Sequence, residues 1–193
     1  MKNIEAVRIL KKSGKKIFTL SEIKNLLAIE KDNTVYKKVE VLIKDGILKR
    51  IIKGVYCFTF YPPSDFELAN SIYQPSYISL SSALNFYGIL VQVPYKITSV
   101  TPKLTRENYV NEKTFKYSHI SKEYFWGYQK IEGFLIAEPE KALLDALFFM
   151  SLGRIVISYD ELLLDRIDYE KLSEMTRKIK NPNFHRFLKK LKL

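Results

Sequence analysis

Across residues 1–60, apolar positions recur at helical spacing in three runs, the first and third closed by a turn signal. Ile4, Val7, Ile9 and Leu10 form a first stripe that stops at Ser13-Gly14, where glycine suits a helix C-terminus. Phe18 precedes Thr19-Leu20-Ser21-Glu22, in which either Thr19 or Ser21 can cap a second helix. Thr19 with Glu22 three residues on is the capping-box pattern. Ile23, Leu26 and Leu27 then face inward. A third helix opens at Asp32 or Asn33, both good caps, and Val35, Tyr36, Val39, Leu42 and Ile43 share one face. Asp45-Gly46 stops it.

The period then changes. Ile47 to Ile52 reads as a strand, Lys53-Gly54 as a turn, and Val55 to Phe58 as the return strand. Helices followed by a hairpin in this order predict a winged helix-turn-helix over residues 1–60. Beyond Tyr61-Pro62-Pro63-Ser64, which reads as a break, residues 61–193 form a second domain. It has a helix from Asp65 to Ile72 capped by Ser64, an extended piece at Tyr77, and a helix capped near Ser79 or Ser81. Strands follow at Ile97–Thr101, Lys113–Ile120, Tyr124–Lys130 and Phe134–Ala137. A strong helix opens at Glu138-Pro139 and runs to about Met150; further helices span Tyr169–Ile179 and Phe184–Leu191. The fold class expected is α+β: a winged helix, then an α+β domain with a small, mainly antiparallel sheet.

Charge sharpens this picture. The net charge is +11, and residues 1–60 hold fourteen Lys/Arg against six Asp/Glu. The stretch 61–176 is mildly acidic, and the tail from Arg177 carries seven Lys/Arg and no acid. A basic head is the footprint of a polyanion partner, although a solvated lysine-rich surface has the same composition. The positive residues fall where a groove would be. Lys31, Asn33, Thr34, Lys37 and Lys38 occupy the first turns of the third helix, and Lys49, Arg50 and Lys53 the hairpin. Asparagine pairs with adenine edges, and lysine reaches guanine or phosphate. These eight are the candidate DNA-binding residues; the alternative is a module for protein contacts with its lysines merely solvated. The single cysteine, Cys57, allows no intrachain disulfide and reads as an inert core residue. No apolar run approaches the roughly 20 residues that span a bilayer. The charge-broken start does not read as a signal peptide. A cytoplasmic protein without membrane contact is expected.

Several segments together resemble the AbiEi family of antitoxin-regulators from abortive-infection and type IV toxin–antitoxin systems. They are Lys53 to Tyr56 in the hairpin, Tyr77 through Gly88, Ile97 to Thr101, a strand pair ending near His119, Gly127, and Ala137 through Asp145. The match is spread over residues 1–150. The resemblance implies an N-terminal domain that binds operator DNA, often inverted repeats, and represses its own operon. It implies a C-terminal domain that supports DNA binding and supplies antitoxin activity against a nucleotidyltransferase toxin, without a stable complex between the two. A monomer or weak dimer, paired on DNA, is expected.

No catalytic site, cofactor or metal is expected. His119 and His185 are far apart, and no glycine-rich phosphate loop or zinc spacing exists. The best enzyme candidate is Glu138, Glu140, Lys141 and Asp145, as carboxylates and a lysine of a metal-dependent nuclease. The competing reading is a helix start, with Lys141 and Asp145 paired on the surface at i and i+4. Tyr124-Phe125-Trp126-Gly127-Tyr128 either stacks on single-stranded nucleic acid or packs in the core. The function expected is a DNA-binding autorepressor and antitoxin. The alternatives are a stand-alone regulator with a ligand- or protein-sensing C-terminal domain and, further off, the nuclease.

Overall fold

The computed structural model describes residues 2–191. They form a mixed α+β chain in two compact units, one up to Ile72 and one from Tyr73 onward. The N-terminal unit runs α1 (Asn3–Lys12), β1 (Ile17–Thr19), α2 (Leu20–Leu26), α3 (Asp32–Lys44), β2 (Leu48–Ile52), β3 (Val55–Phe58) and α4 (Asp65–Ile72). The units divide past the Tyr61–Ser64 break because α4 closes onto this unit, where Glu67 meets Lys16 at 3.1 Å. Ser64 and Glu67 exchange hydrogen bonds across the first turn of α4, as the cap at Ser64 predicts.

The core of this unit collects Ala6, Leu10, Phe18, Ile23, Val35, Val39, Leu42, Leu48, Tyr56 and Phe58. Ile4 is 84% exposed, against expectation. It lies two residues from buried Ala6, about 200° round the helix. β1, β3 and β2 form an antiparallel sheet in that order, with Phe18 opposite Tyr56 and Leu48 opposite Phe58. The Phe18 and Phe58 rings meet edge to face at 5.3 Å, a favourable aromatic geometry. Cys57 is buried in β3, and burial pushes its thiol up against the opposing pull of Lys49.

The second unit runs β4 (Tyr77–Ile78), α5 (Leu80–Phe86), β5 (Lys96–Thr101), β6 (Arg106–Val110), β7 (Lys113–His119), β8 (Tyr128–Ile131), β9 (Phe134–Ala137), α6 (Pro139–Ser151), α7 (Tyr169–Arg177) and α8 (Pro182–Leu191). Its sheet is larger than expected. Six strands lie in the order β6-β7-β5-β4-β9-β8, antiparallel at three pairs and parallel at β5–β7 and β4–β9. β6 has no sequence signal, and the strand expected over Tyr124–Lys130 begins only at Tyr128, with Tyr124 ending a 3-10 turn. α6 packs against α5, α7, α8 and β9, and Glu140 through Phe149 are all buried. Its apolar residues call for burial on most sides, and Glu140, Lys141 and Asp145 are buried along with them. Among the described residues no helix is long and apolar enough to cross a membrane.

Candidate nucleic-acid interface

α2 and α3 are fixed by local chemistry. Thr19 Oγ1 accepts from the Glu22 backbone N–H at 3.2 Å, and the Thr19 N–H donates to Glu22 Oε2 at 2.7 Å. This completes the capping box, and Ser21 plays no capping part. Lys24 in α2 pairs with Asp32 in the first turn of α3. The cap of α3 is Lys31, not Asp32 or Asn33. Asp32 sits one step inside, where its carboxylate meets both Lys24 and the positive end of the helix.

α3 buries Val35, Val39 and Leu42. Asn33 and Lys37 each lie two residues from Val35, about 200° round the helix, and so point away from the core. Lys31, Asn33, Thr34 and Lys37 are all exposed. Lys38 differs. It is half-buried on the flank of α3 and donates to Asn3 Oδ1 at 2.6 Å, while Asn3 Nδ2 donates to Asp45 at 2.7 Å. Its ammonium is turned onto α1 rather than outward with Lys37. Tyr36, expected to share the apolar face, is instead 49% exposed.

In the hairpin, Lys49, Arg50 and Lys53 are exposed. Lys49 stands opposite Cys57 and Arg50 opposite Tyr56. As consecutive strand residues they point to opposite faces. The hairpin therefore carries one cation on each face and Lys53 at its tip. There Gly54 has a φ of 82°, a left-handed turn conformation that glycine adopts freely. Among the described residues Lys31, Lys37, Lys49, Arg50 and Lys53 have no ion-pair partner, whereas Lys15, Lys16 and Lys24 are each matched by an acid.

The residues of the enzyme candidate lie in the second unit and do not converge. Glu138 and Glu140 turn to Lys171, at 3.0 and 2.9 Å. The hydrogen bond that Lys171 donates to Glu140 raises the Lys171 pKa, against its partial desolvation. Lys141 and Asp145 do pair, yet the pair is fully buried rather than on the surface. Lys141 also donates to the Tyr77 hydroxyl at 3.0 Å. Asp145 Oδ2 accepts from Tyr77 at 3.0 Å and from Ser79 at 2.7 Å. Ser79 thus spends its hydroxyl on Asp145 and caps α5 only by position. Burial first, and the Asp145 carboxylate second, push the Tyr77 pKa well up. Trp126 lies over Lys141 at 4.9 Å and over Lys178 at 5.1 Å, and the Tyr77 and Tyr128 rings stack at 4.7 Å. The aromatic run therefore packs around this polar cluster. Gly127 has a φ of 72°, and a Cβ there would meet Lys141 Cγ at 2.9 Å. Among the described residues no three His, Cys, Asp or Glu side chains gather as a metal site would need.

The histidines do structural work: His119 Nδ1 lies 2.9 Å from the Lys103 carbonyl, and His185 Nε2 2.5 Å from that of Ile179. In α8, Phe184 and Leu188 are buried while Arg186, Lys189 and Lys190 are exposed; Lys192 lies outside the described residues. A cleft of about 480 Å³ in the second unit is lined by Ser81, Leu90, Gln92, Tyr95, Lys96, Thr98, Ile157 and Glu161, among others.

These observations define an α+β chain whose N-terminal unit shows an exposed helix face and hairpin rich in unpaired cations. No family model and no curated protein matches it. Among solved structures it is similar to the Rv2827c protein from Mycobacterium tuberculosis. The TM-score is 0.53 and the identity 15%, over 95% of this chain and 69% of that one. A likeness at that identity speaks to the fold alone.

Proposed function

We propose that this chain is a double-stranded-DNA-binding transcriptional regulator, with its N-terminal unit working as a winged helix-turn-helix. In this reading α3 enters the major groove and the β2–β3 hairpin is the wing. The observation that carries the reading is the division of α3. Val35, Val39 and Leu42 are spent on the core, while Asn33, Thr34 and Lys37 face outward beside a hairpin of unpaired cations. Lysines without acid partners exchange only counterions when they meet phosphate, which makes binding favourable and salt-dependent. The AbiEi resemblance extends the proposal to an autorepressor of its own operon that counters a nucleotidyltransferase toxin. Inverted-repeat operators are met by copies paired on DNA.

The test is a gel-shift titration of the full chain on its own upstream region, at two salt concentrations, against a scrambled duplex. Preferential binding that weakens with salt supports the repressor; equal binding to both duplexes, or none, removes it. Rescue of cells from the neighbouring toxin then tests the antitoxin part. The cleft of about 480 Å³ favours a second reading, a stand-alone regulator that senses a small molecule, since such sites commonly have this size.

A further inference from the structure

We infer that Glu40 is a specificity-determining residue that accepts a hydrogen bond from the exocyclic amine of a cytosine in the major groove; the inference rests on the DNA-binding reading above. Glu40 is exposed in the middle of α3. It lies two residues before buried Leu42, as Asn33 and Lys37 lie two from buried Val35, so all three share the outward face. Lys37 is three residues before it and Lys44 four after, yet neither pairs with it. No hydrogen bond or ion pair holds Glu40 to any described residue. Glu22, Asp32, Asp45 and Glu67 of the same unit are each bonded to a lysine or asparagine, and Glu5 and Glu30, which are not, lie outside α3.

A free carboxylate on a face that enters a groove is an electrostatic liability, because the phosphates repel it. It is compatible with tight binding only where the nucleic acid supplies a donor. In the major groove cytosine N4 is the donor that glutamate accepts from. Adenine offers an amine too, but the N7 acceptor beside it repels a carboxylate. Glu40 is thus a filter: it favours sites with a cytosine at one position and penalises the rest. Asn33 to Glu40 spans about 10 Å along the helix, the seven-residue span over which a helix lying in the major groove reads about three successive bases. The half-site then carries an adenine toward Asn33 and a cytosine toward Glu40, with Lys37 between them.

The test is selection of duplexes from a randomised pool by the full chain, in the wild type, Glu40→Gln and Glu40→Ala. The wild type is expected to enrich a motif with one fixed cytosine. Glu40→Gln should replace it with adenine, the base whose N6 and N7 glutamine pairs with. Its affinity for the wild-type motif should fall about tenfold or more, which is the scale of one good base contact. Glu40→Ala should leave that position unspecified while binding a scrambled duplex at least as tightly as the wild type. Because Glu40 is solvent-exposed, circular dichroism should show all three equally folded. One motif, unchanged across the three proteins, overturns the role of Glu40 and leaves the DNA-binding reading standing. A wild type that enriches no motif overturns both.

Discussion

Lys37 and Lys141 are the same side chain set to opposite uses. Lys37 stands exposed on α3 with no acid paired to it among the described residues, and Lys141 is wholly buried between Asp145, Tyr77 and Trp126. The first keeps its hydration and can give it up to a polyanion. The second has lost its water and depends on the groups packed round it. A buried charge of this kind is weak evidence for stability gained, because desolvation offsets the attraction. Removing one partner is costly all the same, since it strands the other. The charge available to the proposed DNA contact is therefore the one left unsatisfied by the fold.

The largest expected effect comes from stranding Lys141. Asp145→Ala should destabilise the protein by about 3–5 kcal/mol in denaturant unfolding, whereas replacing both partners together, Lys141→Met with Asp145→Leu, should restore most of it. If the double variant is as unstable as the single one, the pair is needed for more than mutual neutralisation. Next, Gly127→Ala should cost roughly 1–3 kcal/mol, because the new methyl presses on the Lys141 stem from a left-handed backbone. A thermal midpoint equal to the wild type's would show that Lys141 has room to move.

On the exposed side, Lys37→Ala should weaken DNA binding and flatten the dependence of log K on log salt by about one unit. Lys38→Ala should leave that slope nearly unchanged and instead cost about 1 kcal/mol of stability through its lost bond to Asn3. Equal slopes for the two variants would erase the distinction between them. Thr19→Ala should cost about 1 kcal/mol by breaking the α2 capping box.

The smallest effect is one of pH. Burial opposes ionisation of Glu22, but the bonds from Lys15 and Thr19 outweigh it and hold the carboxyl below its usual value. Glu67 is held down in the same way by Ser64 and Lys16. Their stabilising contribution is present above the unfolded carboxylate pKa and is lost as pH falls through the lowered folded value. Glu22→Gln should therefore be less stable than the wild type at neutral pH, and the gap should close in acid. A gap that persists there would assign the effect to packing.

What the sequence shows and hides follows from what each residue touches. α3 is legible because three apolar residues at helical spacing need one face, and the α2 start because the bonds between Thr19 and Glu22 that make the cap span only three residues. β6 is hidden: Arg106 to Val110 is an edge strand, largely exposed, so no alternation is imposed on it. Its hairpin with β7 turns on Asn111 and Glu112, both at positive φ, and glutamate is not a residue that signals such a turn. Lys141 and Asp145 read as a surface pair because i,i+4 spacing is local, while their burial depends on Tyr77 and Ser79, more than sixty residues away. The outward place of Lys37 follows from helical spacing, but the diversion of Lys38 depends on Asn3, thirty-five residues earlier.

Trp126 is the only tryptophan in the chain, and the ammonium groups of Lys141 and Lys178 both lie over its ring. The N-terminal unit has no indole at all. Intrinsic emission excited at the red edge of the indole band therefore belongs to the second unit alone, and its wavelength and quenching follow the state of that unit's buried cluster. The protein carries its own fluorophore for one half and leaves the other half dark, so the melting of the second unit can be followed by itself without attaching a label.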